Sequence, residues 1–282
     1  MYQAGLVLEG GGMKGVYTCG VLDFFLDKGL EFSSCYGVSA AACSLCSFLS
    51  KQRGRAFHTN IDYAGNKNYC SLYSLLTTGD LFNVDMCYYQ IPDKLNPYDH
   101  ETYEKYQGNF YSVVTNIETG EPEYIPIKDL HVDIEAIRAS ASLPLVSRNV
   151  EFRGKLYLDG GISDGIPLKR SIEDGNHKNI VVMTKEVGYR RKPTSALSLI
   201  KMKYHKYPKV YELMRDRHIV YNDTLDFIEE QIEAGITFLI QPKKKSDVGR
   251  IEKNVDKLTA LYEEGYRDAE SCYEELLAFL KK

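Results

Sequence analysis

Three consecutive glycines at positions 10–12 follow directly on the first apolar run of the chain, and this junction constrains the fold more than any other feature. Residues 4–8 (A-G-L-V-L) are small and apolar, which is typical of a buried β-strand. Residues 16–28 carry apolar side chains near helical spacing and stop at Gly29, which predicts a helix. A strand, a glycine turn and a helix in immediate succession indicate an α/β unit.

The same alternation continues along the chain. Residues 32–37 are predicted as a second strand and residues 39–49 as a helix, an order that favours a parallel sheet covered by helices with right-handed crossovers. Residues 55–108 are predicted to form helices and loops over one end of the sheet. Further strands are predicted at residues 110–116, 123–127, 155–158, 179–184 and 236–241, and helices at residues 133–142 and 251–282, the last interrupted at Gly265.

The composition is that of an ordinary globular protein. The 282 residues are 44% hydrophobic and 26% charged, with a formal net charge of −4. These values exclude a disordered tail or a fibrous repeat, and no stretch approaches the ~18 apolar residues of a membrane span. A slightly acidic chain also gives no reason to expect nucleic acid as a partner. We expect one domain over residues 1–282.

Seven cysteines do not suggest a disulfide framework, because the count is odd and the first residues lead into the apolar strand without a basic leader. Cys43 and Cys46 have C-x-x-C spacing, but no second Cys or His pair lies nearby to complete a zinc site. We interpret both as small apolar residues of a helix, and we expect a reducing, cytoplasmic compartment.

The glycine-rich segment at positions 10–15 (G-G-G-M-K-G) matches the pattern G-x-G-x-x-G. Glycines at this place let backbone N–H groups turn toward an anion at the start of a helix. A dinucleotide site would also need an acidic residue at the end of the second strand to hold the ribose. A serine stands there instead, which counts against NAD, although a nucleotide-binding protein remains an alternative.

That serine, Ser39, lies in the motif G-V-S-A-A at positions 37–41. A serine on a tight turn from strand to helix is typical of a nucleophile elbow, whose consensus is G-x-S-x-G. Ala41 replaces the second glycine, and its methyl group and lost freedom of φ matter if the turn needs them. The alternative is a serine that caps a buried helix.

A third motif, D-G-G at positions 159–161, also follows a predicted strand. Asp159 is a candidate general base for a serine, and the alternative is a turn aspartate that caps its own loop. Because the carboxyl ends of parallel strands meet at one edge of a sheet, all three motifs are expected to converge there. An oxyanion hole, a nucleophile and a base are the parts of an acyl-transfer site.

The three motifs, in this order and at this spacing, resemble those of the patatin-like phospholipase family, in its bacterial branch. The segments A-S-A-S-L-P at 139–144 and D-G-I-P-L at 164–168 are also similar to that family, and the resemblance covers about residues 4–190. It implies a three-layer α/β sandwich with a mostly parallel central sheet flanked by helices. It also implies a catalytic core at about residues 4–190 and a C-terminal helical extension at about residues 191–282.

The resemblance further implies a Ser–Asp dyad without metal or cofactor. Ser39 is the implied nucleophile and Asp159 the implied base, and none of the six histidines has the setting of a catalytic one. The implied oxyanion hole consists of the N–H groups of Gly11, Gly12 and Met13, with Gly10, Lys14, Gly15, Gly37, Gly160 and Gly161 as supporting motif residues. The implied reaction is hydrolysis of fatty-acyl esters of lipids or lysolipids through an acyl-enzyme. A lipid-binding pseudoenzyme with little activity is the alternative.

Residues 187–211 form a basic stretch with interleaved aromatic and aliphatic residues and no acidic residue. Its seven cationic side chains are those of Arg190, Arg191, Lys192, Lys201, Lys203, Lys206 and Lys209. Such a segment is either a solvated helix face packed on the core or a contact with an anionic membrane surface. The second interpretation predicts a cytoplasmic enzyme that works peripherally at a membrane.

Overall fold

A mixed β-sheet forms the centre of the protein in the computed structural model, which describes residues 1–281. The strands are β1 (Tyr2–Leu8), β2 (Phe32–Val38), β3 (Asn109–Asn116), β4 (Pro122–Pro126), β5 (Val150–Phe152), β6 (Lys155–Asp159), β7 (Asn179–Val182) and β8 (Thr237–Ile240). A parallel part runs in the order β3-β2-β1-β7-β8, and β4, β6 and β5 extend it with antiparallel pairings. The predicted strands are present, while β5 was not predicted.

Helices cover both faces of this sheet. They are α1 (Val16–Asp27), α2 (Ala40–Leu49), α3 (Arg55–Ile61), α4 (Leu72–Thr78), α5 (His100–Glu104), α6 (Ile134–Ser140), α7 (Leu168–Glu173), α8 (Leu197–Lys203), α9 (Pro208–Glu233), α10 (Val255–Ser271) and α11 (Tyr273–Lys281), together with a π-helix at Met86–Leu95 and 3-10 turns at Gly12–Gly15 and Gly160–Ile162. None of the helices within residues 1–281 is long and apolar enough to cross a membrane.

Alternating side chains of the strands divide the core into two layers, as the pleat of a strand requires. Leu6 and Leu8 of β1 pack in the large cluster under α1, α2, α10 and α11, whereas Val7 between them packs in a second cluster with α7 and α9. The result is the predicted three-layer α/β sandwich. The C-terminal region does more than add helices, because it supplies β8 to the sheet and α9 and α10 to opposite faces.

The strand registers determine which strand ends lie next to each other. Val113 pairs with Val38 of β2 and with Tyr124 of β4, so β2 and β4 lie on opposite edges of β3. Val114 pairs with β4 and also with Asp159 of β6, so β6 must occupy the edge that β2 has just left. The last residue of β6 therefore arrives beside the end of β2, at the turn that carries Ser39.

The predicted interruption at Gly265 is wrong, because α10 continues to Ser271. Gly265 instead allows α10 to lie directly on α1: a Cβ atom at this position would stand 2.1 Å from the carbonyl oxygen of Tyr17. Gly20 does the same from the other helix, where a Cβ atom would stand 2.0 Å from the carbonyl oxygen of Tyr262. Gly265 therefore marks a close helix–helix contact and not a helix break.

We expect Gly265→Ala to lower the free energy of unfolding by ~1–3 kcal/mol, because the new methyl group overlaps the α1 backbone. This loss outweighs the gain of about 1 kcal/mol in helix propensity that alanine normally brings. Urea denaturation followed by circular dichroism measures the effect. Gly65→Ala is the control, since a Cβ atom at Gly65 meets no atom within 4 Å; equal stability of the two variants would contradict the predicted contact.

Candidate active site

Ser39 stands in a strained turn between β2 and α2. Its backbone has φ 58° and ψ −128°, in the region that favours glycine, and its N–H donates to Ser140 Oγ at 2.8 Å. The turn is tight, because a Cβ atom at Gly37 would lie 2.7 Å from Cα of Ala42. A serine held in such a strained strand-to-helix turn has the geometry of a nucleophile elbow.

Ala41 does not disturb this turn. It lies within α2 and is not among the residues with positive φ, so the conformational freedom of the consensus glycine is not needed here. Its side chain is buried, at 1% exposure, in the core cluster under α2. The departure from the consensus motif therefore gives no structural ground for a blunted elbow.

Asp159 is the last residue of β6 and is buried, at 1% exposure. Its Oδ1 accepts a hydrogen bond from the Gly161 N–H at 2.8 Å, and Oδ2 has no hydrogen-bond partner. Burial raises the pKa of Asp159, against the lowering effects of the nearby Ser39 hydroxyl, the Arg217 guanidinium and the Gly161 N–H. The Ser39 hydroxyl is thus close enough to favour the carboxylate, yet the two side chains do not form a hydrogen bond with standard geometry.

One short segment holds the backbone of both residues in place. Ser140 accepts the N–H of Ser39, and two residues later the carbonyl of Ser142 accepts the N–H of Asp159 at 2.8 Å. The Asp159 carbonyl in turn accepts from Thr115 Oγ1 at 2.8 Å. The A-S-A-S-L-P segment was noted in the sequence only for its resemblance to a family, and the structure shows that it links the two candidate residues.

The glycine loop packs against the Ser39 turn. A Cβ atom at Gly10 would stand 2.8 Å from Cβ of Ser39, and Gly12 has φ +58°. The N–H groups of Gly11 and Gly12 have no backbone acceptor within residues 1–281, whereas the N–H of Met13 donates to the carbonyl of Arg250 at 3.1 Å. Of the three predicted oxyanion donors, two are therefore free and Met13 is engaged.

Three further glycines of the motifs allow this close packing. A Cβ atom at Gly15 would lie 3.3 Å from Cβ of Ala40, and one at Gly160 would lie 2.2 Å from the carbonyl oxygen of Val113. At Gly161 a Cβ atom would lie 3.0 Å from Oδ1 of Asp159. These contacts bring the D-G-G turn against β3 and the glycine loop against α2.

Ser39 lies where two cavities adjoin. The first is mainly apolar and extends from Ser39 along α2 and α3 to the π-helix. Its apolar and aromatic walls are formed by Met13, Cys43, Tyr69, Phe82, Cys87, Tyr88, Ile91, Pro92, Tyr98, Ile137 and Leu143. The predicted cover over residues 55–108 therefore supplies most of this apolar wall.

The second cavity is polar and contains Asp159. Besides Ser39, Asp159 and the glycine loop, it is lined by Glu9, Lys185, Arg191, Arg217, Tyr221 and Arg250. Arg217 reaches the site from α9 and donates from Nε to the carbonyl of Gly161 at 2.6 Å. The sequence motifs do not single out Glu9, Lys185, Arg217, Tyr221 or Arg250. Glu9 adjoins the glycine loop but has no motif of its own, and the other four residues are distant from the loop along the chain.

Neither histidine nor thiol chemistry is offered by the surroundings of Ser39. All six histidines lie within the described residues, and none of them lines either cavity. Cys43 lines the apolar cavity, but burial raises the pKa of its thiol to about 11, so the thiol stays protonated near neutral pH. Within residues 1–281, no three His, Cys, Asp or Glu side chains are grouped as metal ligands.

The fold and site define an α/β protein with a glycine loop, a strained serine and a buried aspartate at one edge of its sheet. Comparison with known proteins agrees with this description. Residues 6–170 match the family model described as Patatin-like phospholipase, and residues 207–281 match a domain of unknown function (DUF6363). The chain therefore belongs to the patatin-like phospholipase family, which confirms the resemblance and the fold class predicted from the sequence.

Two curated relatives are similar to this chain. YjjU of Escherichia coli (strain K12) is 31% identical over 185 residues, which cover 64% of this chain and about half (51%) of YjjU. "Probable lipid hydrolase 463L" of Invertebrate iridescent virus 6 is 25% identical over 269 residues, which cover 89% of each protein. Among solved structures, VipD from Legionella pneumophila has a TM-score of 0.49 at 12% identity, covering 98% of this chain and 67% of VipD.

Proposed function

We propose that the protein is a serine acyl hydrolase that cleaves fatty-acyl esters of lipids through a Ser39–Asp159 dyad. The observation that carries this proposal is the position of Ser39, in a strained turn between an apolar cavity and a buried carboxylate with one unpaired oxygen. Membership of the patatin-like phospholipase family and the name of the viral relative support a lipid substrate.

In the proposed reaction, Ser39 Oγ attacks the ester carbonyl carbon while its proton passes to Asp159 Oδ2. The oxyanion that forms is held by the N–H groups of Gly11 and Gly12, and also by that of Met13 if the Arg250 carbonyl gives way. The tetrahedral intermediate expels the alcohol, which takes the proton from Asp159, and leaves an acyl-enzyme. A water molecule activated by Asp159 then releases the fatty acid and restores Ser39.

Burial of Asp159 suits it to this role. A carboxylate that loses its hydration has a raised pKa and is a better proton acceptor than one in water. The absence of a standard hydrogen bond between the two side chains is common in free enzymes, where catalytic hydrogen bonds tighten when substrate binds. The apolar cavity on the other side of Ser39 offers a dry site for the acyl chain.

A lipid-binding pseudoenzyme is the competing function, and it rests on the alanine that replaces the motif glycine at position 41. The helical conformation of that alanine removes its main support. We therefore expect a fluorophosphonate probe to label the protein at Ser39 and short p-nitrophenyl esters to be hydrolysed.

We expect Ser39→Ala and Asp159→Asn each to lower kcat for p-nitrophenyl butyrate by ~10³-fold or more, because each change removes one member of a unit that acts together. Steady-state hydrolysis and probe labelling measure the effect, and Ser271→Ala on the exposed side of α10 is the control. Turnover that persists in Ser39→Ala would contradict the dyad, and an unlabelled, inactive native protein would favour the pseudoenzyme.

The pH dependence should report the Asp159 carboxylate. Its pKa is raised by burial, so kcat/KM for a neutral ester is expected to fall with decreasing pH at a midpoint above the ordinary aspartate value of ~3.9. The Arg217 cation favours the charged form, so Arg217→Gln should move this midpoint to higher pH. Arg215→Gln, exposed on the same helix, should leave it in place, and a midpoint that falls in Arg217→Gln would contradict the assignment.

We also infer a membrane contact through residues 187–211. Ile200 and Tyr204 of this segment pack on Leu158 and Ile162, which flank Asp159, and so place the segment beside the site. The opposite face of α8 exposes Leu199 and Met202, with Lys201 next to them. Both interpretations of the basic stretch thus have a structural basis, one on each face of the same helix.

The membrane interpretation predicts that Lys201→Glu/Lys206→Glu reduces co-sedimentation with phosphatidylglycerol vesicles several-fold, because reversed charge repels the anionic surface. Lys105→Glu/Lys128→Glu is the matched control, since these exposed lysines flank the amino-terminal end of β3, at the opposite end of the sheet. Equal binding of the two double variants would remove this inference.

A further inference from the structure

We propose that the polar cavity beside Ser39 is an anion subsite, which holds the phosphate of a substrate whose headgroup carries net negative charge. This inference rests on the proposed function and names its substrate class: acyl esters of anionic phospholipids, rather than neutral acylglycerols or zwitterionic lipids. The observations behind it are the number, the pairing and the orientation of the charged side chains that line this cavity.

Four cationic side chains converge on the cavity that contains Ser39 and Asp159, namely those of Lys185, Arg191, Arg217 and Arg250. Among residues 1–281, none of the four forms an ion pair with a carboxylate within 4.0 Å. Most surface arginines of this protein, by contrast, do have such a partner. Unpaired cations gathered in one cavity repel each other and attract an anion.

The carboxylates of the cavity do not neutralise this charge. Glu9 is the only one besides Asp159 among the described lining residues, and both of its oxygens are engaged. Its Oε2 accepts from the N–H and the hydroxyl of Thr184 at 2.7 and 3.0 Å, and its Oε1 accepts from the Tyr221 hydroxyl at 2.5 Å. Four cations against two carboxylates leave an excess of positive charge when Asp159 is ionised.

Arg191 is held in a position from which it can donate hydrogen bonds to an anion. Its backbone N–H and carbonyl are both held by the Asn222 side chain, at 2.8 and 3.1 Å, and its guanidinium lies 4.1 Å from the ring centroid of Tyr221. Its Nε is buried without a hydrogen-bond partner. A buried donor without an acceptor is costly, and a bound phosphate oxygen is the kind of acceptor that a planar guanidinium prefers.

Two further cations of the cavity, Lys185 and Arg217, are affected by repulsion from their cationic neighbours. The pKa of Lys185 is lowered by burial and by the nearby Lys14, Arg191 and Arg250, and only Glu9 opposes this. Burial and the nearby Arg191 and Arg250 lower the pKa of Arg217 to about 10, against the effect of Asp159. A bound anion would relieve this repulsion.

The two cavities indicate where each end of one substrate molecule would bind. Ser39 lines both, so an ester bond at Ser39 places the acyl chain in the apolar cavity and the remainder of the lipid among the cations. A phosphate there meets unpaired guanidinium groups, whereas a choline headgroup would bring a quaternary cation into a positive cavity. Charge complementarity therefore selects lipids with net negative headgroups.

Short-chain lipids with the same acyl groups separate the headgroup from the chain. We expect kcat/KM to be ~10-fold or more higher for dihexanoyl phosphatidic acid than for dihexanoyl phosphatidylcholine or dihexanoylglycerol, equivalent to about 1.4 kcal/mol or more. Arg191→Gln should lower the ratio of kcat/KM for the anionic lipid to that for the neutral lipids. Arg250→Gln should do the same, and because the Arg250 side chain is exposed, this substitution is not expected to unfold the protein. Arg215→Gln is the matched control, since its exposed guanidinium lies outside residues 187–211 and pairs with Asp216.

A binding measurement makes the test independent of turnover. Calorimetry with Ser39→Ala should show dihexanoyl phosphatidic acid binding more tightly than the choline lipid, and Arg191→Gln in that background should abolish the difference. Inorganic phosphate should bind more weakly than the anionic lipid; equal affinity would make the cavity a site for free phosphate and overturn the lipid assignment.

The two proposals fail in different ways. Equal kcat/KM for all three lipids, or a ratio unchanged in Arg191→Gln, overturns the anion subsite while leaving the hydrolase intact. Hydrolysis that persists in Ser39→Ala overturns the proposed function, and the calorimetry then still decides whether the cavity recognises an anionic headgroup.

Discussion

The site depends on the way in which β3 shares one of its edges between two strands. β2 pairs with residues 109–113 and then turns away at Ser39, and β6 takes over the same edge at Val114 from the opposite direction. Because β6 is antiparallel, its carboxyl end points at the end of β2, and Asp159 arrives beside Ser39. No contact between the two side chains is needed to bring them together, since the hydrogen-bond ladder of the sheet does so.

Burying a carboxylate costs hydration free energy, and the contacts around Asp159 offset part of this cost. One oxygen accepts a backbone N–H, and the Arg217 cation from α9 lies near enough to favour the charge. The second oxygen is left without a partner, which is a cost that ordinary packing would remove. An unsatisfied oxygen near the Ser39 turn is consistent with the role of proton acceptor proposed for Asp159.

The parts of the fold that depend on local pattern were predictable from the sequence. The strand–glycine–helix junction, the Ser39 turn and the D-G-G turn each carry their signal within a few residues, and the order of elements follows from them. The prediction at Gly265 is wrong because glycine occurs both at helix ends and at close helix contacts, and only the position of α1 distinguishes the two. Arg217 and Arg250 were not predictable as site residues, since nothing in their neighbourhood in sequence signals Ser39.

The site residues that the sequence motifs predicted and those that they did not predict come from different segments of the chain. The segment that matches the family model, residues 6–170, supplies the glycine loop, Ser39 and Asp159, whereas the four cations of the polar cavity all come from residues 185–250. A net charge of −4 for the whole chain conceals this concentration, because the average is taken over distant surfaces. The proposed chemistry and the proposed headgroup recognition therefore come mostly from separate parts of the chain, and Arg217 connects them, because it lies near Asp159 and also lines the polar cavity. Under these two proposals, changes at Lys185 or Arg191 would alter which lipid is bound without altering the Ser39 turn.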